Sequence, residues 1–134
     1  MKETESLPII RVVTSRTNGD CVIVALAMYL GETYEDVLAV AAGVIGPLVH
    51  HEGMWTKQLM KTADLLGAPL RRNKKFDLET SSGILDLVQR KGPAHAHVNV
   101  LREGLIIDFD GTVWDAEVYL LNSGYKPTHL YTRR

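Results

Sequence analysis

A chain of 134 residues with 46% hydrophobic residues has the length of one domain and enough apolar surface for a single buried core. Its one cysteine excludes an internal disulfide and a multi-thiolate zinc site, and its net charge of −1 gives it no general attraction to nucleic acid. No run approaches the ~20 apolar residues that span a bilayer, and no apolar signal core follows the acidic residues 1–6. We therefore expect one cytoplasmic domain, residues 1–134, that binds neither a membrane nor nucleic acid.

The N-terminal part of the chain predicts a buried helix behind a tight turn. Leu7 to Val13 is a β-branched run that predicts an edge strand or an extended lead-in. The residues from Cys21 to Leu30 are apolar on nearly every face, which indicates a buried central helix, and Gly31 closes it. The turn Asn18-Gly19-Asp20 places Cys21 in the first turn of that helix, where free backbone N–H groups and the helix dipole favour a thiolate. Cys21 is therefore a candidate nucleophile.

Apolar residues at helical spacing predict three further helices. The second is capped at Thr33 and stops by Gly43, and a loop follows as far as Gly53. The third starts at Thr56 and ends at Gly67. A short fourth helix is capped by Ser81-Ser82 and ended by Gly92-Pro93, with its apolar face formed by Ile84, Leu85, Leu87 and Val88.

The rest of the sequence predicts strands. The basic cluster from Arg71 to Lys75, beside Phe76, is interpreted as a solvated loop, and everything after Pro93 is predicted to be β-structure. Helices followed by strands are typical of an α+β domain, here with N-terminal helices packed on a C-terminal antiparallel sheet. We expect such a sheet to leave one face free for a cleft.

A predicted hairpin gathers the polar residues of the C-terminal half. With Arg102-Glu103 as its two-residue loop, His97 lies opposite Asp108 and His95 opposite Asp110. A register slip by two residues changes these partners but keeps the faces. Alternation then predicts one polar face with His95, His97, Asn99, Asp108 and Asp110, and one core face with Ala96, Val98, Val100, Leu105, Ile107 and Phe109. An imidazole beside a carboxylate is held in one tautomer and becomes more basic, as the base for a thiol must be.

These motifs resemble the papain-like cysteine peptidases in their minimal bacterial and phage form. They are similar in particular to the leader-peptide peptidase domains of bacteriocin exporters. The resemblance spans about residues 14 to 116. It lies in Asp20-Cys21, Ala25-Leu26-Ala27-Met28 and Gly31, and in His97, Val98, Val100, Gly104 and Asp108.

The resemblance implies a papain-like fold in which the buried nucleophile helix packs on the sheet. It further implies a triad of Cys21, His97 and Asp108 that cleaves a peptide or isopeptide bond of a polypeptide substrate, with no cofactor and no metal. Relatives usually carry a Gln upstream of the cysteine as oxyanion donor, whereas this chain offers Asn18 or Ser15, of which Asn18 is the candidate. The compact domain is compatible with a phage or plasmid origin, and a phage protein of this kind acts in the host cytoplasm.

Several alternatives remain open at the level of the sequence. Asp20-Cys21 at a helix start is also typical of cell-wall amidases of the NlpC class. His95 with Asp110 is an alternative catalytic pair, and the two histidines with Asp108 and Asp110 form a candidate metal site. A non-catalytic interaction protein on the same scaffold is the fourth alternative, with His50-His51 and Trp55 as a rim for a substrate or partner.

Overall fold

The computed structural model describes residues 12–17, 19–89 and 96–134. Within these ranges the chain forms five helices and six strands, which confirms the predicted α+β class. In chain order the elements are α1 (Cys21–Leu30), α2 (Tyr34–Val44), α3 (Val49–Glu52), α4 (Thr56–Leu65), β1 (Leu70–Asn73), β2 (Ser82–Gln89), β3 (Ala96–Arg102), β4 (Leu105–Ile107), β5 (Val113–Asp115), α5 (Ala116–Ser123) and β6 (Tyr125–Arg133). Most of the predicted Leu7–Val13 segment lies outside the described residues.

Helix α1 is the centre of the main core. Eight of its ten residues are buried, and Gly31 ends it in the left-handed region at φ 71°. The helix contacts α2 on one side and β3 on the other, so an all-apolar surface is what its position requires. The predicted bounds of this helix are confirmed, and Cys21 is its first residue.

The six strands form one antiparallel sheet with the order β1-β6-β2-β3-β4-β5. Strand β2 lies inside the sheet and is buried on both faces, with Ile84 in one apolar cluster and Leu85 and Leu87 in another. The fourth helix predicted from Ser81 to Pro93 is therefore wrong. A strand buried on both faces gives a continuous apolar run, and such a run also satisfies helical spacing.

Helix α5 covers the face of the sheet opposite α1. Asp115 caps its start, since the carboxylate accepts the Val118 N–H at 3.1 Å, and Gly124, with φ of 77°, caps its end. Its residues Ala116 and Tyr119 pack with Leu85, Leu87, Leu101, Ile106 and Leu130. One prediction is thereby corrected: the segment after Pro93 contains a helix as well as β-structure.

The β3–β4 hairpin differs from the prediction in its register. Its two-residue loop is Glu103-Gly104, with φ of 45° and 91°, instead of Arg102-Glu103. Gly104 adopts positive φ without the strain that a side chain brings, so the turn is centred one residue later. Val100 consequently pairs with Ile107, a slip of two residues that keeps Val100 and Ile107 on one face, as predicted.

The remaining helical predictions hold with small changes. Thr33 caps α2 by accepting the Asp36 N–H at 3.0 Å, and α4 begins at Thr56 as predicted. The expected loop from Gly43 to Gly53 contains the short helix α3, and the first residues of the basic cluster belong to β1, which pairs with β6. Across the described ranges, every helix is too short or too polar to cross a bilayer.

Candidate active site

A buried carboxylate organises the loop in front of Cys21. Asp20 is 0% exposed and turns its side chain back toward the preceding residues. Burial raises the pKa of this carboxyl, but its hydrogen-bond donors outweigh burial and hold the pKa below its usual range. These donors are the Ser15 hydroxyl at 2.8 Å, the backbone N–H groups of Arg16 at 2.7 Å and Thr17 at 3.2 Å, and the Tyr34 hydroxyl at 2.7 Å. These hydrogen bonds tie residues 15–17 and Tyr34 to Asp20, the residue directly before Cys21.

The start of α1 is left uncapped as a result. The first intrahelical bond runs from Val24 N–H to the Asp20 carbonyl at 3.0 Å, and among the described residues the N-cap side chain, that of Asp20, makes no capping hydrogen bond. The N–H groups of the first turn, Cys21 to Ile23, therefore have no partner within the helix. Such groups at the positive end of a helix dipole stabilise negative charge next to them.

His97 and Asp108 form a hydrogen-bonded pair. His97 Nε2 lies 2.8 Å from Asp108 Oδ1, and the two side chains are 11% and 12% exposed. Asp108 Oδ1 also accepts the Phe109 N–H at 3.0 Å and contacts the amide of buried Asn99 at 3.5 Å. Burial raises the pKa of Asp108, while His97, Phe109 and the Tyr119 hydroxyl together hold it below its usual range. Asp108 is thus an ionised partner for the imidazole at neutral pH.

Aromatic rings fix the orientation of the His97 imidazole. The Tyr125 ring stacks on it at 5.4 Å and 18°, and the Phe109 ring meets it edge-on at 5.2 Å and 77°. Burial lowers the pKa of His97, but the hydrogen bond to Asp108 and the interaction with the Cys21 side chain raise it from 6.5 to about 9. Since Nε2 is engaged by Asp108, Nδ1 is the nitrogen left for the thiol.

Cys21, His97 and Asp108 line one cleft of about 870 Å³. The cleft begins at the first residue of α1 and extends over the ends of several strands. Helix α3 contributes His51, the segment between α3 and α4 contributes Met54 and Trp55, and Trp55 is 79% exposed. The sheet contributes Arg72, Asp86, Val88, Val98, Thr128, His129 and Tyr131.

The other predicted site residues are placed as follows. Asn18 and His95 lie outside the described residues. Asp110 is exposed, and its carboxylate accepts the Thr112 N–H at 3.0 Å and hydroxyl at 2.6 Å, so it is occupied within a turn. The Ser15 hydroxyl is engaged by Asp20. Among the residues that the structure describes, no three His, Cys, Asp or Glu side chains are grouped to hold a metal ion.

Several residues of the site were missed by sequence reasoning. Tyr119 and Tyr125 flank the His97–Asp108 pair, but Tyr119 belongs to the helix that the sequence did not predict. Asp86 gave a usable signal, since an acid inside an apolar run is rarely buried without a role. The comparisons with known proteins add no further residue: no family model matches this sequence, and no curated protein matches it.

Proposed function

We propose that this protein is a thiol hydrolase of papain-like fold that cleaves a peptide or isopeptide bond. The observation that carries the proposal is the shared cleft: a cysteine at an uncapped helix start faces the same space as a histidine hydrogen-bonded to a carboxylate at 2.8 Å. Nucleophile, base and orienting acid are the three groups that thiol-dependent acyl transfer requires.

Before acylation, the proton of the Cys21 thiol already lies on His97 Nδ1, in keeping with the raised pKa of the imidazole, and the thiolate attacks the carbonyl carbon of the scissile bond. A C–S bond forms, and the carbonyl electron pair moves to oxygen. The uncapped N–H groups of the first turn of α1 are the oxyanion donors, with the Asn18 amide as the candidate second donor. When the oxyanion collapses, the C–N bond breaks, the amine leaves with the proton from His97, and a thioester remains on Cys21.

In the deacylation step, His97 accepts a proton from water, and the resulting hydroxide attacks the thioester carbonyl. The C–S bond breaks, the carboxylic acid leaves, and the Cys21 thiolate is restored beside the protonated His97. Asp108 stays ionised throughout and holds the imidazole in the productive orientation, as its 2.8 Å hydrogen bond and its lowered pKa support.

The papain-like assignment is supported by the order of the three groups along the chain. The cysteine begins a buried helix, the histidine lies on a strand that this helix contacts, and the carboxylate follows the next strand. A leader-peptide peptidase and a cell-wall amidase of the NlpC class share this chemistry, so the substrate distinguishes them.

The test is parallel incubation of the wild-type protein and Cys21→Ala with a peptide library and with purified cell wall. We expect wild-type protein to cleave peptides and to form a thioester at Cys21 that mass spectrometry detects after acid quenching. Cys21→Ala should do neither, and EDTA should change neither the rate nor the melting temperature. Fragments released only from cell wall would favour the amidase, and the absence of both activities and of any thioester would contradict the proposal.

A further inference from the structure

A second polar cluster lies in the cleft beside the proposed catalytic residues. It consists of Arg72, Asp86, His129 and Tyr131, which all line the cleft and take no part in the mechanism above. They come from three neighbouring strands: Arg72 on β1 pairs with Tyr131 on β6, and Asp86 on β2 pairs with His129 on β6. The pairing places their side chains next to one another.

Asp86 is a carboxylate with few hydrogen bonds. Its side chain is 15% exposed, yet the Tyr131 hydroxyl approaches Oδ2 only to 3.4 Å and Arg72 Nη2 only to 3.8 Å. The latter distance is outside hydrogen-bond range, and an ionised carboxylate has about four acceptor positions. Burial raises the pKa of Asp86, and Arg72 and His129 partly counteract burial. Among the described residues, Asp86 therefore retains acceptor positions that face the cleft.

Arg72 has the complementary surplus of donors. Its Nε donates to the Tyr131 hydroxyl at 3.2 Å, while its terminal nitrogens make no hydrogen bond within the described part of the chain. The Tyr131 hydroxyl has a single proton, and both Asp86 at 3.4 Å and Thr56 at 3.3 Å lie within reach of it. The remaining donors of Arg72 and the remaining acceptors of Asp86 thus lie about 4 Å apart, and both side chains line the cleft.

The juxtaposed charges discriminate between possible ligands. A substrate ammonium bound to Asp86 would lie against the Arg72 guanidinium, and a substrate carboxylate bound to Arg72 would lie against Asp86. Like charges at such distances are strongly unfavourable. A carboxamide carries N–H donors and a carbonyl acceptor on one rigid plane and no net charge, so it can donate to Asp86 and accept from Arg72 together.

We propose that Arg72, Asp86 and Tyr131 form a specificity subsite for the side-chain carboxamide of a Gln or Asn in a polypeptide substrate. This inference rests on the proposed function and names the substrate feature that the cleft selects. Asp86 pairs across β2 and β3 with Val98, the residue after His97. With strands ~4.8 Å apart and a rise of ~3.3 Å per residue, the selected residue lies within about three residues of the scissile bond.

The test measures binding separately from hydrolysis. Cys21→Ala protein is titrated by calorimetry with blocked hexapeptides that carry Gln, Glu, Lys or Leu at each position in turn. At one position Gln should bind about tenfold or more tightly than Glu, Lys and Leu, since a hydrogen bond to a charged group has that effect. In the same background, Asp86→Asn should remove most of this preference and improve binding of the Glu peptide, and Arg72→Gln should improve binding of the Lys peptide.

Arg71→Gln is the matched control, because Arg71 is exposed on the same strand and does not line the cleft. If Asp86→Asn fails to fold, Arg72→Gln on the edge strand carries the test alone. The subsite is contradicted if Leu binds as well as Gln, if a charged peptide binds best, or if no peptide binds. Wild-type hydrolysis without a Gln or Asn preference overturns the subsite but leaves the hydrolase, whereas selective binding without hydrolysis or thioester overturns the hydrolase but leaves the subsite.

Discussion

The imidazole of His97 has two kinds of neighbour, and they act on different properties of the ring. Tyr125 and Phe109 restrict its rotation, because one ring stacks on it and the other meets it edge-on. Asp108 determines which nitrogen is free, because it engages Nε2. Together these neighbours leave Nδ1 as the nitrogen that can exchange a proton with Cys21.

Removal of His97 should therefore affect both catalysis and thiol reactivity. His97→Ala should lower hydrolysis by a factor of about 1,000, within the range that general-base catalysis contributes, and slow alkylation of Cys21 by iodoacetamide at neutral pH. Asp108→Asn should lower hydrolysis less than His97→Ala does. The Asn amide oxygen still accepts the hydrogen bond from His97 Nε2, although the negative charge is lost. His95→Ala is the control and should keep most of the activity. If His95→Ala is the inactive variant and His97→Ala resembles wild type, His95 with Asp110 is the catalytic pair.

The same residue predicts how stability varies with pH. Because the pKa of His97 is raised from 6.5 to about 9, the folded protein holds this proton more tightly than the unfolded chain does. The stabilisation is complete below pH 6.5, falls as the pH rises, and is lost above about 9. Its size is on the order of 3 kcal/mol. Urea denaturation across this pH range should show the decline in the wild type and a flatter profile in His97→Gln. Equal slopes of stability against pH in the two proteins would contradict the raised pKa of His97.

At the scale of elements, α1 could be predicted because its environment is uniform. A helix buried on every side needs apolar residues at every position, and Gly31 marks its end. Strand β2 could not be predicted, because its apolar residues fit both a helix face and a strand with two buried faces. These residues are Ile84, Leu85, Leu87 and Val88. Only its partners β3 and β6 distinguish the two, and they follow it in the chain.

The candidate site also contains one part that the sequence predicts and one part that it does not. His97 and Asp108 share a face under either hairpin register, because the actual slip of two residues preserves alternation. Their proximity was therefore predictable without the correct turn. The subsite around Asp86 could not be predicted, because it requires β1, β2 and β6 to lie side by side. The sequence pattern had assigned β1 to a loop and β2 to a helix.

The β3–β4 turn offers a test of its backbone strain. Glu103 has φ of 45°, a conformation that costs most residues about 1 kcal/mol and that Asn adopts more easily. Glu103→Asn would give the Asn-Gly pair favoured in two-residue hairpin loops and should raise the free energy of unfolding by about 0.5–1 kcal/mol. Glu103→Gln, which removes the charge but keeps the strain, should leave it nearly unchanged. Equal effects of the two substitutions would assign the change to charge.

At the scale of the whole molecule, the closely packed strands β2 and β6 lie between the two apolar clusters on opposite faces of the sheet. A Cβ atom at Gly83 would lie 2.3 Å from the Tyr131 carbonyl oxygen and 3.1 Å from the Leu130 side chain. Backbone atoms of interior strands cannot move aside, so Gly83→Ala should destabilise the protein by about 3 kcal/mol and lower its melting temperature.

Gly43→Ala is the counterpart within a helix. Nothing lies within 4 Å of a Cβ atom at Gly43, and its φ is not in the left-handed region. Alanine there should stabilise the protein by about 0.5–1 kcal/mol, as it does in helix interiors generally. A Gly83→Ala protein as stable as Gly43→Ala would show that β2 and β6 can separate locally without cost.

The distances along the chain between the three site residues affect the protein during its synthesis. His97 and Asp108 are 11 residues apart and meet within one hairpin, whereas Cys21 precedes His97 by 76 residues. A ribosome therefore exposes the thiol long before the hairpin emerges from the exit tunnel, and the nascent cysteine has no base beside it. Under the proposed mechanism, the growing chain cannot cleave its neighbours or itself, and the enzyme becomes active only when the sheet has closed against α1.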